Sequence, residues 1–160
     1  EENDKISVTV GFEKTDKVNS FTYIVDKSSL GFPDHDFAMI SIGIGFAGIE
    51  INPETKEVIG VKGLLPRSIW LKKRIKTPTP IKGKLTINTK GVDLRSKTYI
   101  QVNKQNDTYY NSKTGWICIG EPKFYSIDDC IEFLEGAYLV LREGKIVSLW
   151  LNVGKDLPLY

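Results

Sequence analysis

The chain has one histidine, one methionine and two cysteines among its 160 residues. A single imidazole excludes a multi-histidine metal cage, and two thiols exclude both a four-cysteine zinc site and a disulfide scaffold. Long hydrophobic runs are missing too. The longest, from Phe37 to Ile49, is 13 residues interrupted by Ser41, Gly43, Gly45 and Gly48, against the roughly 20 that a bilayer-spanning helix needs. Neither a metal, nor a cofactor, nor a membrane span is expected. What is present is the composition of an ordinary globular domain, 41% hydrophobic, 11% aromatic and 26% charged, large enough to bury a core without covalent staples. One domain over residues 1–160 is the expectation.

Charge is nearly balanced overall but not along the chain. The net charge is +2, yet Lys62 to Lys90 carries nine basic residues and no acid, which leaves the other 131 residues at −7. A block of one sign points to an anionic partner such as nucleic acid, or to a solvated strand face with a lysine-rich loop. Cys118 and Cys130 sit inside apolar patterns, as reduced thiols do in an intracellular protein. With no apolar leader visible at Glu1-Glu2-Asn3-Asp4, a cytoplasmic location is expected.

Periodicity favours strands. Ile6, Val8, Val10 and Phe12 alternate with polar residues or glycine, and Phe21, Tyr23 and Val25 follow the turn-like Asn19-Ser20, so the first two elements read as a hairpin. Met39 to Ile51 and Val58 to Val61 flank a turn at residues 52–56 and read as a second hairpin, with glycines marking bulges or close backbone approach. A short strand at Ser68-Ile69-Trp70-Leu71 precedes Thr77-Pro78-Thr79-Pro80, where regular structure stops and the chain is expected to turn over. Further strands are expected at 84–88, 99–103, 108–110 and 116–119. A closing hairpin follows, Ala137 to Leu141 and Ile146 to Val153, with Val147, Leu149, Leu151 and Val153 on its buried side. One helix is expected over 126–135: Ser126 can cap it, Ile127, Cys130, Ile131 and Leu134 recur at helical spacing, and Gly136 can end it. The expected fold is therefore mainly β (α+β): a single antiparallel sheet, or a β-sandwich or half-barrel, with one packed helix near residues 126–135.

Few motifs carry chemistry. Gly43-Ile44-Gly45-Phe46-Ala47-Gly48 matches a dinucleotide-binding glycine pattern. That pattern has to open a helix, whereas Ile49-Glu50-Ile51-Asn52-Pro53 alternates and then turns, so the glycines read as structural. The only histidine, His35, lies between Asp34 and Asp36, but no serine or cysteine nucleophile stands in a recognisable elbow to complete a catalytic set. The expected protein is not an enzyme. Carboxylates Asp128, Asp129, Glu132 and Glu135 would form a negative stripe on the predicted helix, and together with Asp34 and Asp36 they are the candidate partner-binding residues. Tyr109, Tyr110 and Trp116 read equally as core residues or as exposed anchors.

Between about Ile44 and Val153 several patterns recur together: Gly63-Leu64-Leu65-Pro66 with Trp70, then Pro80 and Gly83-Lys84-Leu85; Tyr109-Tyr110-Asn111 with Gly115-Trp116-Ile117-Cys118-Ile119-Gly120; and the closing run from Val140 to Leu151. On these residues the chain resembles the small immunity proteins of bacterial contact-dependent growth inhibition and related polymorphic toxin systems. The resemblance implies a non-catalytic protein that binds and neutralises a cognate toxin domain, often a nuclease. It carries over no binding residue, because the toxin-facing residues vary between family members. The alternative is a nucleic-acid-binding β domain that uses residues 62–90. Oligomeric state is left open.

Overall fold

The computed structural model describes residues 7–24, 29–31, 40–63, 65–91, 99–103 and 107–159. These residues form strands β1 (Ser7–Lys14), β2 (Thr22–Ile24), β3 (Ser29–Gly31), β4 (Ile40–Ile44), β5 (Ala47–Ile51), β6 (Val58–Gly63) and β7 (Trp70–Lys72). After them come β8 (Ile81–Lys90), β9 (Tyr99–Asn103), β10 (Thr108–Asn111), β11 (Trp116–Gly120), β12 (Asp129–Leu134), β13 (Ala137–Arg142) and β14 (Lys145–Asn152). The chain is mainly β. Its large sheet runs β1-β8-β12-β13-β14-β11-β10-β7, a second runs β6-β5-β4-β9, and β2 pairs with β3. Both larger sheets are mixed rather than antiparallel, because β12 and β8, β7 and β10, and β4 and β9 pair in parallel.

Alternation decides which face of each strand is buried. In the small sheet Ile40, Ile42 and Ile44 stand beside Ile49 and Ile51, and they meet Leu85, Ile87, Ile117, Ile119, Leu139 and Leu149 of the large sheet in one buried cluster. Of the two expected hairpins, the second forms, β5 pairing antiparallel with β6 on either side of the turn at residues 52–56, and the first does not. Strand β1 pairs along its whole length with β8, from Ser7 opposite Lys90 to Lys14 opposite Gly83, and not with β2. The run from Met39 to Ile51 contributes two strands, since Gly45 (φ +62°) lets the chain reverse between β4 and β5.

The expected helix over 126–135 is not formed; that stretch is a turn followed by strand β12. Its alternation outweighs its helical spacing, because Ile131 and Phe133 both enter the core while a helix would have turned Phe133 away from its apolar stripe. Pairing on both sides, antiparallel to β13 and parallel to β8, fixes the strand. Gly136 (φ +92°) makes the turn into β13 instead of ending a helix. Among the described residues the one helical element is a single 3-10 turn, Arg67–Ile69.

The outer face of the large sheet has its own apolar layer. Directly paired residues form a row across seven strands: Leu71, Tyr109, Cys118, Trp150, Tyr138, Glu132 and Lys82. Beside that row Ile75, Val140 and Phe124 pack on Cys118 and Trp150, and Val147 joins them because the register shifts between Val140 and Leu141. Val147 therefore faces away from Leu149, Leu151 and Val153, which enter the main core.

Residues 73–80 do not turn the chain over. They cross the outer face as a strap, with Ile75 and Pro78 buried beneath it. Strands β7 and β8 are six spacings apart in the sheet order, a path of about 29 Å at ~4.8 Å per spacing. The nine steps from Lys72 to Ile81 reach about 30 Å when extended. Pro78 and Pro80 hold Thr77 and Thr79 extended, while the Ile75 N–H donates to Lys73 O (3.1 Å) and bends the strap at Arg74.

Candidate functional site

The strap and the segment 121–128 enclose the most elaborated polar site on the outer face. Strand β11 ends at Gly120 (φ +111°), and Pro122 follows where no ladder partner is needed. A tight turn then closes on itself. The Asp128 N–H donates to Tyr125 O (2.9 Å), and the Tyr125 N–H donates to Asp128 Oδ2 (2.8 Å). Strand β13 supplies the clamp: Arg142 Nε donates to Asp128 Oδ1 (2.8 Å) and Nη2 to Oδ2 (3.0 Å), a two-point contact. The same guanidinium reaches Glu121 Oε2 at 3.1 Å through Nη1 and lies 4.9 Å from the Tyr125 ring centre. One side chain thus fixes the loop at its start, its middle and its end.

The apex of that loop is apolar and open. Tyr125 is 53% exposed and Ile127 70% exposed. Below them lies a cavity of about 280 Å³ lined by Pro78, Thr79, Phe124, Tyr125, Ser126, Asp128, Cys130 and Val140. The Arg142 guanidinium holds the Asp128 carboxyl below its ordinary range, and Asp128 in turn raises Arg142. Burial pushes the Cys118 and Cys130 thiols up to about 12, so both are protonated and non-nucleophilic at neutral pH. Burial, with Glu132 nearby, pushes Tyr138 up to about 12 as well. Both cysteines are free.

The predicted acidic stripe is dispersed, because it was drawn on a helix. Asp128 is committed to Arg142, and its carboxyl is 2% exposed. Glu132 is half-buried on the outer face between Tyr138 and Lys82, and its carboxylate accepts the Gly136 N–H (3.2 Å). Asp129 and Glu135 are exposed at opposite ends of β12. Asp34, His35 and Asp36 lie outside the described residues. Sequence reasoning missed Arg142, Glu121, Tyr125 and Ile127. Asp128 and Arg142 are 14 residues apart, and only the β12–β13 register, Asp129 opposite Leu141, brings them together.

The other motifs also find their places. Gly43 faces Gly48 across the β4–β5 hairpin, where a Cβ on Gly48 would stand 3.0 Å from Ile42 O. Those glycines serve close backbone approach. On the same face Glu50 is 2% exposed, accepts the Ser41 hydroxyl at 2.6 Å and stands 3.6 Å from Lys62. The basic block is divided: Arg67 is buried, Lys62 faces Glu50, and Lys72, Lys73, Arg74 and Lys76 line the exposed start of the strap. Among the described residues no group of three or more His, Cys, Asp or Glu side chains could hold a metal ion, and no helix is long and apolar enough to cross a membrane. No protein-family model matches the chain, and no curated protein matches it.

Proposed function

We propose that this chain is a non-catalytic immunity protein that binds and neutralises a cognate toxin domain, and that the clamped loop 121–128 is its principal contact. The observation that carries the reading is the exposure of two large apolar side chains, Tyr125 and Ile127, on a loop that Arg142 holds at three points. Solvent-exposed anchors on a pre-formed loop lose little conformational freedom on binding and are the kind of residue that dominates protein interfaces. The cavity beneath can receive a partner side chain, and Asp129, exposed at the start of β12 next to the loop, supplies a carboxylate that steers a basic partner. Asp128 contributes by positioning the loop. The resemblance over residues 44–153 supplies the partner class.

The test is growth rescue and binding with the variable carboxyl-terminal domain of any large secreted protein encoded in a neighbouring reading frame. Wild type should protect cells that express the toxin and should bind it. Ile127→Asp and Tyr125→Ala should lose protection while keeping wild-type thermal stability. Asp129→Lys should slow association, whereas Glu135→Lys at the far end of β12 should not. Full protection by both loop variants would move the contact elsewhere, and no binding by wild type would end the immunity reading.

A further inference from the structure

At the other end of the strap the fold brings together cations that the sequence separates by about 40 residues. Strand β7 runs out through Lys72, Lys73 and Arg74, and the turn between β10 and β11 places Ser112 and Lys113 beside them. Both backbones are fixed. The Lys73 N–H donates to Tyr110 O (2.9 Å), the Asn111 amide nitrogen donates to Ile75 O (3.0 Å), and the Asn111 side-chain oxygen accepts the Lys113 N–H (3.1 Å). Between the two segments lies a hollow of about 210 Å³ lined by Lys72, Lys73, Arg74, Asn111, Ser112 and Lys113. Four of the six lining residues are cationic and none is acidic. Both ends of the Asn111 amide are already engaged, and the exposed side chains of Lys72, Lys73, Arg74 and Lys113 surround the hollow with positive charge. The acidic residues bonded nearest are Asp156, whose backbone N–H reaches Ser112 O (3.0 Å), and Asp107, whose carboxylate accepts the Tyr109 hydroxyl (3.5 Å).

An aromatic surface adjoins these donors. Lys73 Nζ stands 4.9 Å from the centre of the half-buried Tyr109 ring, and Leu71, 50% exposed, is paired directly opposite. Parallel pairing of β7 with β10 creates this neighbourhood; in the sequence Trp70 is the only aromatic residue inside the basic block.

We propose that the hollow takes a backbone phosphate of a single-stranded nucleic acid, the Lys73 ammonium moving from the Tyr109 ring to the phosphate and an unpaired base taking its place on the ring. A cluster of cations beside an aromatic face is what a single strand requires, since phosphates need neutralising and exposed bases need stacking. A duplex has no free base face to offer, and an acidic peptide would make no use of the aromatic ring. The site is at the opposite end of the strap from loop 121–128, so this inference stands independently of the toxin reading.

The test is fluorescence anisotropy with labelled oligothymidylate and oligouridylate of about 12 nucleotides, a length within the usual single-strand site sizes. Binding should be evident at low salt. If three phosphates are neutralised, affinity should fall about twentyfold between ~50 and ~200 mM salt. Lys73→Glu with Arg74→Glu should weaken low-salt binding at least tenfold, and so should Lys113→Glu on the separate turn. Tyr109→Ala should weaken it about fivefold or more and leave the salt slope unchanged. Lys82→Glu with Lys84→Glu, on β8, should leave it unaltered. Absent binding at low salt would overturn the proposal. So would equal loss from the β8 variant, unaltered binding by the Lys113 variant, or displacement of the oligonucleotide by polyglutamate at equal charge. That last result would assign the hollow to an acidic protein.

Discussion

Trp150 is fully buried at the centre of the outer face, and its indole N–H donates to the hydroxyl of Ser148 at 3.0 Å. Ser148 is itself 1% exposed and also faces the Cys118 thiol. Ser148→Ala removes few atoms but leaves a buried donor without this acceptor in a layer formed by Ile75, Val140 and Cys118. Orphaning a buried polar group costs about 1–3 kcal/mol. A value near 2 kcal/mol lowers the melting temperature of a chain this size by about 4–8 °C. Trp150→Phe removes the donor instead, at the expense of some packing. In that background Ser148→Ala should cost less than about 1 kcal/mol, giving a coupling of about 1 kcal/mol or more between the two positions. Urea unfolding followed by circular dichroism measures all four corners of the cycle, provided the slope with denaturant is unchanged. Equal costs of Ser148→Ala in both backgrounds, or a cost below about 0.5 kcal/mol in wild type, would refute the role given to this hydrogen bond.

Gly63 has φ +122°, and a Cβ there would stand 2.6 Å from Phe46 O, so Gly63→Ala should cost roughly 2 kcal/mol or more. Gly11, with nothing within 4 Å, should accept alanine at no cost or with a gain of about 0.5 kcal/mol; urea midpoints separate the two outcomes. Raised thiol pKa values act on the alkaline side. With Cys118 and Cys130 lifted from 9.0 to about 12, the unfolded chain loses these protons first, so stability should fall as pH rises from about 9 toward 12. Alkylation by iodoacetamide at neutral pH should correspondingly be slow in the native protein and fast in urea. Asp128 acts on the acid side. Its lowered pKa makes the clamp's contribution complete above the ordinary carboxylate range and lost as pH falls through the folded value. Asp128→Asn should therefore flatten the acid limb of stability against pH, and an unchanged limb would count against the clamp.

Period-2 alternation was readable wherever one face of a strand is buried and the other wet. Strands β9, β10, β11, β13 and β14 fall within a few residues of their expected bounds for that reason. Pairing partners were less visible. The mate of β1 is β8, about 70 residues away, because it is the hydrophobic face of the assembled sheet and not the nearest turn that selects a neighbour. Residues 126–135 satisfied both a 3.6-residue and a 2-residue period, and long-range pairing chose between them. The candidate site follows the same rule. Its carboxylates were conspicuous in the sequence, but the guanidinium that disposes of Asp128 arrives through strand register. Tyr109 and Tyr110 divide between the two faces: Tyr110 is buried, receiving the Leu157 N–H (2.9 Å) and donating to Gly154 O (2.7 Å), while Tyr109 is on the outer face.

The strap also imposes an order of assembly. Strands β10 to β14 are joined by short connections apart from loop 121–128, and their contacts are largely local in sequence, so they can pair early and rapidly. Ile75 and Pro78 precede those strands in the chain, yet the surface they cover consists of Cys118, Phe124, Val140 and Trp150, which are synthesised later. Nothing exists for the strap to lie on until that surface has formed, and its two ends are held by β7 on β10 and by β8 on β12. Docking of the strap after strands β10 to β14 have paired is the order this connectivity favours. Folding φ-values should accordingly be high in the β13–β14 hairpin and near zero at Ile75.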